Sequence, residues 1–118
     1  MNIQIFGKSK CFDTKKAERY FKERRIKVQN IDLVKYGMSP GEFRSVKSAV
    51  GGLQNMLDEK SREYEALHIA YLERQEDIEQ AAMEHPGLLK TPIVRNGKQA
   101  TVGYCPEVWK TWESELSN

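Results

Sequence analysis

The stretch Asn2–Arg24 (NIQIFGKSKCFDTKKAERYFKER) constrains the fold most, because its periodicity changes from two to helical within a few residues. Ile3, Ile5 and Phe6 give Asn2–Phe6 the apolar alternation of a strand. Gly7-Lys8-Ser9-Lys10 is a short polar, basic loop, and Cys11 heads a segment whose apolar positions, Ala17, Tyr20 and Phe21, have helical spacing. A thiol at a strand-to-helix turn meets backbone N–H groups with no intrahelical partner and the positive end of the helix dipole. Both lower its pKa, and Lys8, Lys10, Lys15 and Lys16 are expected to lower it further. The competing reading is that free cysteines are among the most buried residue types and mostly act as small, inert hydrophobes. Two features favour a reactive thiol: Cys11 lies among Lys, Ser, Asp and Thr, and it stands where a helix usually carries Ser, Thr, Asp or Asn as its cap.

A chain of 118 residues is most simply one domain, 1–118, long enough to bury a core without disulfides or metals. Charged residues make up 31% but the net charge is only +2, which argues against direct nucleic-acid binding, a local basic patch around Cys11 aside. No apolar run approaches a bilayer span and the first residues lack a signal-peptide layout, so no membrane association and a cytoplasmic location are expected. Two cysteines in such a chain read as thiols rather than a structural bridge. Cys11, Cys105, His68 and His85 offer no tight ligand spacing, so no metal site is expected.

Further along, Lys27–Leu33 reads as a second strand, and strand, helix, strand with short joints implies a right-handed crossover and a parallel pair. Val34–Met38 reads as a loop. Ser39-Pro40-Gly41-Glu42 announces a helix with a capping box, an apolar face of Phe43, Val46 and Val50, and a stop at Gly51-Gly52. Leu53–Lys60 reads as one short helical turn and a polar loop, Ser61–Leu72 as a helix with Tyr64, Leu67, Ala70 and Tyr71 on one side, and Asp77–Glu84 as another ending near His85-Pro86-Gly87. His68 reads as a partly buried packing residue and His85 as a partner of a helix C-terminus. Pro92–Arg95, Asn96-Gly97 and Lys98–Gly103 form a hairpin signal. Cys105-Pro106-Glu107 opens a last helix with Val108, Trp109, Trp112 and Leu116 as its core stripe. The order β-α-β, helical insertion at about 39–89, then β-β-α predicts an α/β thioredoxin-like fold on a small mixed four-stranded sheet.

These residues carry a family resemblance. Cys11 after the first strand, Leu88-Leu89-Lys90-Thr91-Pro92-Ile93-Val94, and Val102-Gly103-Tyr104 before Pro106 resemble the arsenate reductase–Spx family of thioredoxin-like proteins, with Glu84-His85-Pro86-Gly87-Leu88-Leu89 close to its Spx branch. The resemblance implies a cis Pro92 facing the cysteine and a thiol-dependent oxidoreductase with Cys11 as nucleophile. It also implies glutathione, glutaredoxin or another thiol reductant as co-substrate, with no bound cofactor. Asp13 and Thr14 would supply the helix's first turn, and Lys8, Lys10, Thr14, Lys15, Lys60, Thr91 and Pro92 are the candidate anion- or substrate-binding residues.

The chain departs from the family pattern in ways that bear on activity. The arsenate-reductase motif continues Cys-x-x-x-Arg, whereas Lys15 stands here, and the three oxyanion-binding arginine positions fall on Asp58, Thr91 and Cys105 in an ungapped alignment. An aspartate repels an arsenate dianion, and flexible lysines such as Lys8 and Lys60 do not reproduce a bidentate arginine fork. The Spx branch implies the alternative of a redox-linked regulator that binds RNA polymerase, but its Cys-x-x-Cys switch is interrupted here by Thr14. Cys105 is left with two readings: a resolving thiol for Cys11, or a capping or packing residue that never oxidises.

Overall fold

The computed structural model describes residues 1–116, the last of these by its backbone alone. Four strands, β1 (Ile3–Gly7), β2 (Val28–Asp32), β3 (Ile93–Asn96) and β4 (Gln99–Val102), form one mixed sheet in the order β2-β1-β3-β4. β1 runs parallel to β2 in the register Ile3↔Val28 to Gly7↔Asp32, and antiparallel to β3 with Ile5 opposite Val94. The helix between β1 and β2, α1 (Phe12–Glu23), supplies the crossover. This is the thioredoxin-like arrangement expected from the element order.

Alternation in β1 divides the core between the two faces of the sheet. Ile3 and Ile5 join Val94 beneath Ala17, Tyr20 and Phe21 of α1 and Trp109 and Trp112 of α6 (Pro106–Leu116). Phe6 and Ile93 face the other way, into a cluster built with the segment between β2 and β3. That segment contains α2 (Leu33–Tyr36), α3 (Pro40–Ala49), α4 (Arg62–Ala66) and α5 (Gln75–Glu84), with 3-10 turns at Leu53–Asn55, Ile69–Tyr71 and Pro86–Leu88.

The capping box at Ser39 forms as expected, the Ser39 hydroxyl accepting from the Glu42 amide at 3.1 Å and the Glu42 carboxylate accepting from the Ser39 amide at 2.8 Å. Five expectations need correction. Val34–Met38 is not simply a loop: Leu33–Tyr36 is a helical turn capped by Asp32, which accepts from the Lys35 amide. Ser61–Leu72 is not one helix; it stops at Leu67, and His68 takes a left-handed φ of +54° so that Ile69 can bury while Tyr71 and His68 remain exposed. His68 is therefore not a packing residue. Asn96 ends β3 paired with Gln99, which makes Gly97-Lys98 the turn, with Gly97 at φ +61°. In α6 the Trp109 and Trp112 side chains are buried but Val108 is 42% exposed, and the Leu116 side chain lies outside the described residues.

Candidate active site

The sheet's organisation brings the end of β1, the approach to β3 and the exit of β4 to one side of the molecule. Cys11 is the cap residue of α1: its carbonyl accepts from the Lys15 amide and its own amide donates to the Lys8 carbonyl at 3.1 Å. The Thr91–Pro92 peptide is cis, and as a thiol Cys11 donates to the Thr91 carbonyl at 3.5 Å. The Pro92 carbonyl in turn accepts from the Gly103 amide at 2.8 Å, which fixes the start of the Cys105 loop against β3.

Partial burial pushes the Cys11 thiol upward, yet its pKa ends below the ordinary value. Hydrogen bonds from the Thr14 and Thr91 hydroxyls and from the Thr14 and Asp13 amides to the sulfur outweigh the burial. All but Thr91 belong to the first turn of α1, whose free amides and side chain face the sulfur. Two of the lysines expected to do this work have other partners. The Lys8 ammonium donates to the Gly87 carbonyl at 3.0 Å, and that of Lys16 lies 5.6 Å from the Tyr104 ring centre.

Cys105 behaves in the opposite way. Burial raises its pKa, the Thr101 hydroxyl lowers it in part, and the negative charge of Asp13 raises it again. Its sulfur lies 3.4 Å from the Val102 carbonyl and packs on the edge of the α1–α6 core. Both cysteines are free thiols.

The two thiols line one open cleft of about 1060 Å³, at the large end for a small-molecule site. Of the residues expected to bind substrate, Lys8, Lys10, Lys60 and Thr91 do line it. Thr14, Lys15 and Pro92 do not line it. Thr14 is only 6% exposed; its hydroxyl faces the Cys11 sulfur and the Lys8 amide, and a Cβ on Gly7 would overlap its methyl group. It supports the thiol from beneath. Pro92 is buried, and Lys15 is exposed on α1.

Asp58 lies in the cleft with its carboxylate accepting from the Lys60 amide at 3.0 Å. Glu59 and Lys90 also line it, and no arginine does among the described residues. The sequence did not single out Lys90 or Glu59, nor Gln54 and Asn55 beside them; the loop that carries the last three reaches the cleft through long-range contacts. Thr14 as a support for the sulfur was findable, since it stands three residues after the cap. Among the described residues no group of three His, Cys, Asp or Glu side chains is placed to hold a metal, and no helix is long and apolar enough to cross a membrane.

Comparison with known proteins agrees with this geometry. The ArsC family model matches residues 6–112. In sequence, the chain is similar to the global transcriptional regulator Spx 2 of Oceanobacillus iheyensis, 27% identical over 106 residues covering 88% of this chain and 78% of that protein. It is 22% identical over 104 residues to the regulator Spx of Bacillus subtilis, covering 86% and 79%. In structure it is similar to an arsenate reductase from Vibrio cholerae, with a TM-score of 0.80 and 25% identity over 92% of this chain and 94% of that one. With a cysteine at the head of the first helix, a cis proline beside it and a family match over nearly its whole length, the chain belongs to the ArsC family.

Proposed function

We propose that the protein is a monothiol oxidoreductase whose Cys11 thiolate exchanges with disulfides and is recycled by glutathione or glutaredoxin. The observation that carries this reading is the placement of the Cys11 sulfur at the head of α1, 3.5 Å from the carbonyl of the cis Thr91–Pro92 peptide and lining an open cleft, with the donors around it lowering its pKa. In the reaction, the Cys11 thiolate attacks one sulfur of a disulfide R–S–S–R′. A Cys11–S–S–R bond forms, the S–S bond of the substrate breaks, and R′–S⁻ leaves and takes up a proton. A second thiolate then attacks the mixed disulfide and returns Cys11. Disulfides are favoured over arsenate as substrate because the cleft holds Asp58 and Glu59 and only lysines as its cations. Cys105, held protonated at neutral pH by burial and by Asp13, stands by as a spectator in this scheme.

Incubation with oxidised glutathione followed by intact mass spectrometry tests the scheme. A single glutathionyl adduct is expected, absent from Cys11→Ser, retained in Cys105→Ser, and removed by reduced glutathione with glutaredoxin. No adduct on the unaltered protein overturns the scheme, and a loss of two hydrogens instead makes Cys105 the resolving thiol.

A second reading is supported by the two Spx regulators among the relatives: a protein-binding module for RNA polymerase, with thiol chemistry incidental. Cys11→Ser separates the readings, since binding to purified RNA polymerase that survives this change favours the module.

A further inference from the structure

The exposed side of α1 is not used by the cleft. Phe12, Lys16 and Arg19 follow one another at helical spacing on the side opposite the buried Thr14, Ala17 and Phe21. Phe12 is 81% exposed, immediately follows Cys11, and is not among the residues that line the cleft. The Lys16 ammonium leans on the ring of Tyr104, itself 43% exposed and held edge-on against Trp109 at 5.5 Å. From there a second depression of about 480 Å³ runs between α1 and α6, presenting Lys16, Arg19, Arg24 and Lys110 against the carboxylate of Glu23. Arg24 is committed, stacked 3.6 Å from the Tyr20 ring centre and 3.8 Å from the Glu113 carboxylate. Arg19 and Lys110 have no carboxylate within salt-bridge distance among the described residues. A net charge of only +2 makes this concentration of cations local rather than general.

Isolated exposed apolar residues are ordinary on protein surfaces. Here, though, two aromatic side chains flank the thiol region and lead into a groove whose cations outnumber its carboxylates, and that combination complements an acidic protein surface with an apolar anchor. A nucleic acid would gain from the cations but not from Phe12 in the absence of a stacking platform of several rings. We propose that the face made by Phe12, Lys16 and Arg19 of α1 with Tyr104 and Lys110 docks an acidic protein segment, and so delivers a protein disulfide to Cys11. The inference rests on the monothiol reading and names the class of its partner: an acidic protein rather than a small oxyanion.

The test uses the full chain carrying Cys105→Ser, so that Cys11 alone reacts, and two synthetic peptides bearing a Leu-Cys core as the 2-pyridyl disulfide, one flanked by glutamates and one by lysines. Cys11 thiolate attacks the peptide sulfur, the peptide–S–S–Cys11 bond forms, and 2-thiopyridone leaves and is read by absorbance. Neutral 2,2′-dipyridyl disulfide gives the reference rate. The glutamate peptide is expected to react roughly tenfold faster than the lysine peptide at low ionic strength, the advantage shrinking as salt is added. Arg19→Glu with Lys110→Glu is expected to remove or reverse the preference, and the milder Arg19→Gln to shrink it, with the reference rate unchanged. Phe12→Ala is expected to slow the glutamate peptide severalfold.

Equal rates for the two peptides, beside a normal reference rate, overturn the docking face and leave the monothiol reading standing. A preference that survives Arg19→Glu with Lys110→Glu also overturns it, because the discrimination then belongs to the lysines of the cleft. Failure of dipyridyl disulfide to react at Cys11 overturns both.

Discussion

Cys11 and Cys105 each precede the first residue of a helix and line the same cleft, yet their pKa values move in opposite directions. The first turn of α1 is Phe12-Asp13-Thr14, whose second and third amides and threonine hydroxyl reach the Cys11 sulfur. The first turn of α6 begins with Pro106, which has no N–H, and the Val108 and Trp109 amides go to the Cys105 carbonyl instead. The Thr101 hydroxyl, which accepts from the Trp109 indole N–H at 2.9 Å, is the one side chain that helps the Cys105 thiolate, and Asp13 opposes it. A helix start therefore does not activate a thiol by position. What decides is which donors reach the sulfur and which charge faces it.

Thr14→Val breaks the contrast most strongly. It keeps the shape that packs against Gly7 but deletes a hydroxyl that bonds the Cys11 sulfur. The Cys11 pKa is expected to rise toward the ordinary thiol value of ~8.5, and the alkylation rate at neutral pH to fall by about tenfold per unit of rise. Iodoacetamide kinetics across pH, followed by peptide mass mapping, measure it; an unchanged profile removes Thr14 from the account. Pro106→Ala works on the other thiol and by less. It restores an N–H at the head of α6, where it is expected to lower the Cys105 pKa slightly and leave that of Cys11 in place, as the same mapping would report.

Much of this contrast lay beyond sequence reasoning, and the reasons are physical. Signals confined to a few neighbouring residues were legible: the alternation of Ile3 and Ile5, the Ser39 capping box, the Gly97 turn within one residue, and Cys11 at its helix cap. The cis Thr91–Pro92 peptide was legible only through the family resemblance. The break at His68 was not, because a left-handed residue that is neither glycine nor asparagine carries no local mark; the burial of Ile69 imposes it from outside. The helical turn at Leu33–Tyr36 was too short for periodicity, although Asp32 marked its start. The cleft was least legible, since the 53–60 loop, the Thr91 peptide and the Cys105 loop are far apart in sequence and meet through the Leu57–Leu89 bridge and the Gly103–Pro92 hydrogen bond. Lysines near Cys11 in the sequence suggested an electrostatic cause for its low pKa, whereas the fold sends the Lys8 ammonium to the Gly87 carbonyl and that of Lys16 to Tyr104.

The most direct measurement is the pH titration of the Cys11 thiol in the folded Cys105→Ser protein, read as its alkylation rate. The depressed pKa sets the sign: reactivity reaches its plateau at a lower pH than that of a free thiol, and falls only as pH drops through the depressed value. A midpoint clearly below ~8.5 is the expected result. A midpoint at or above that value would contradict the claim that the first turn of α1 lowers the pKa of this sulfur.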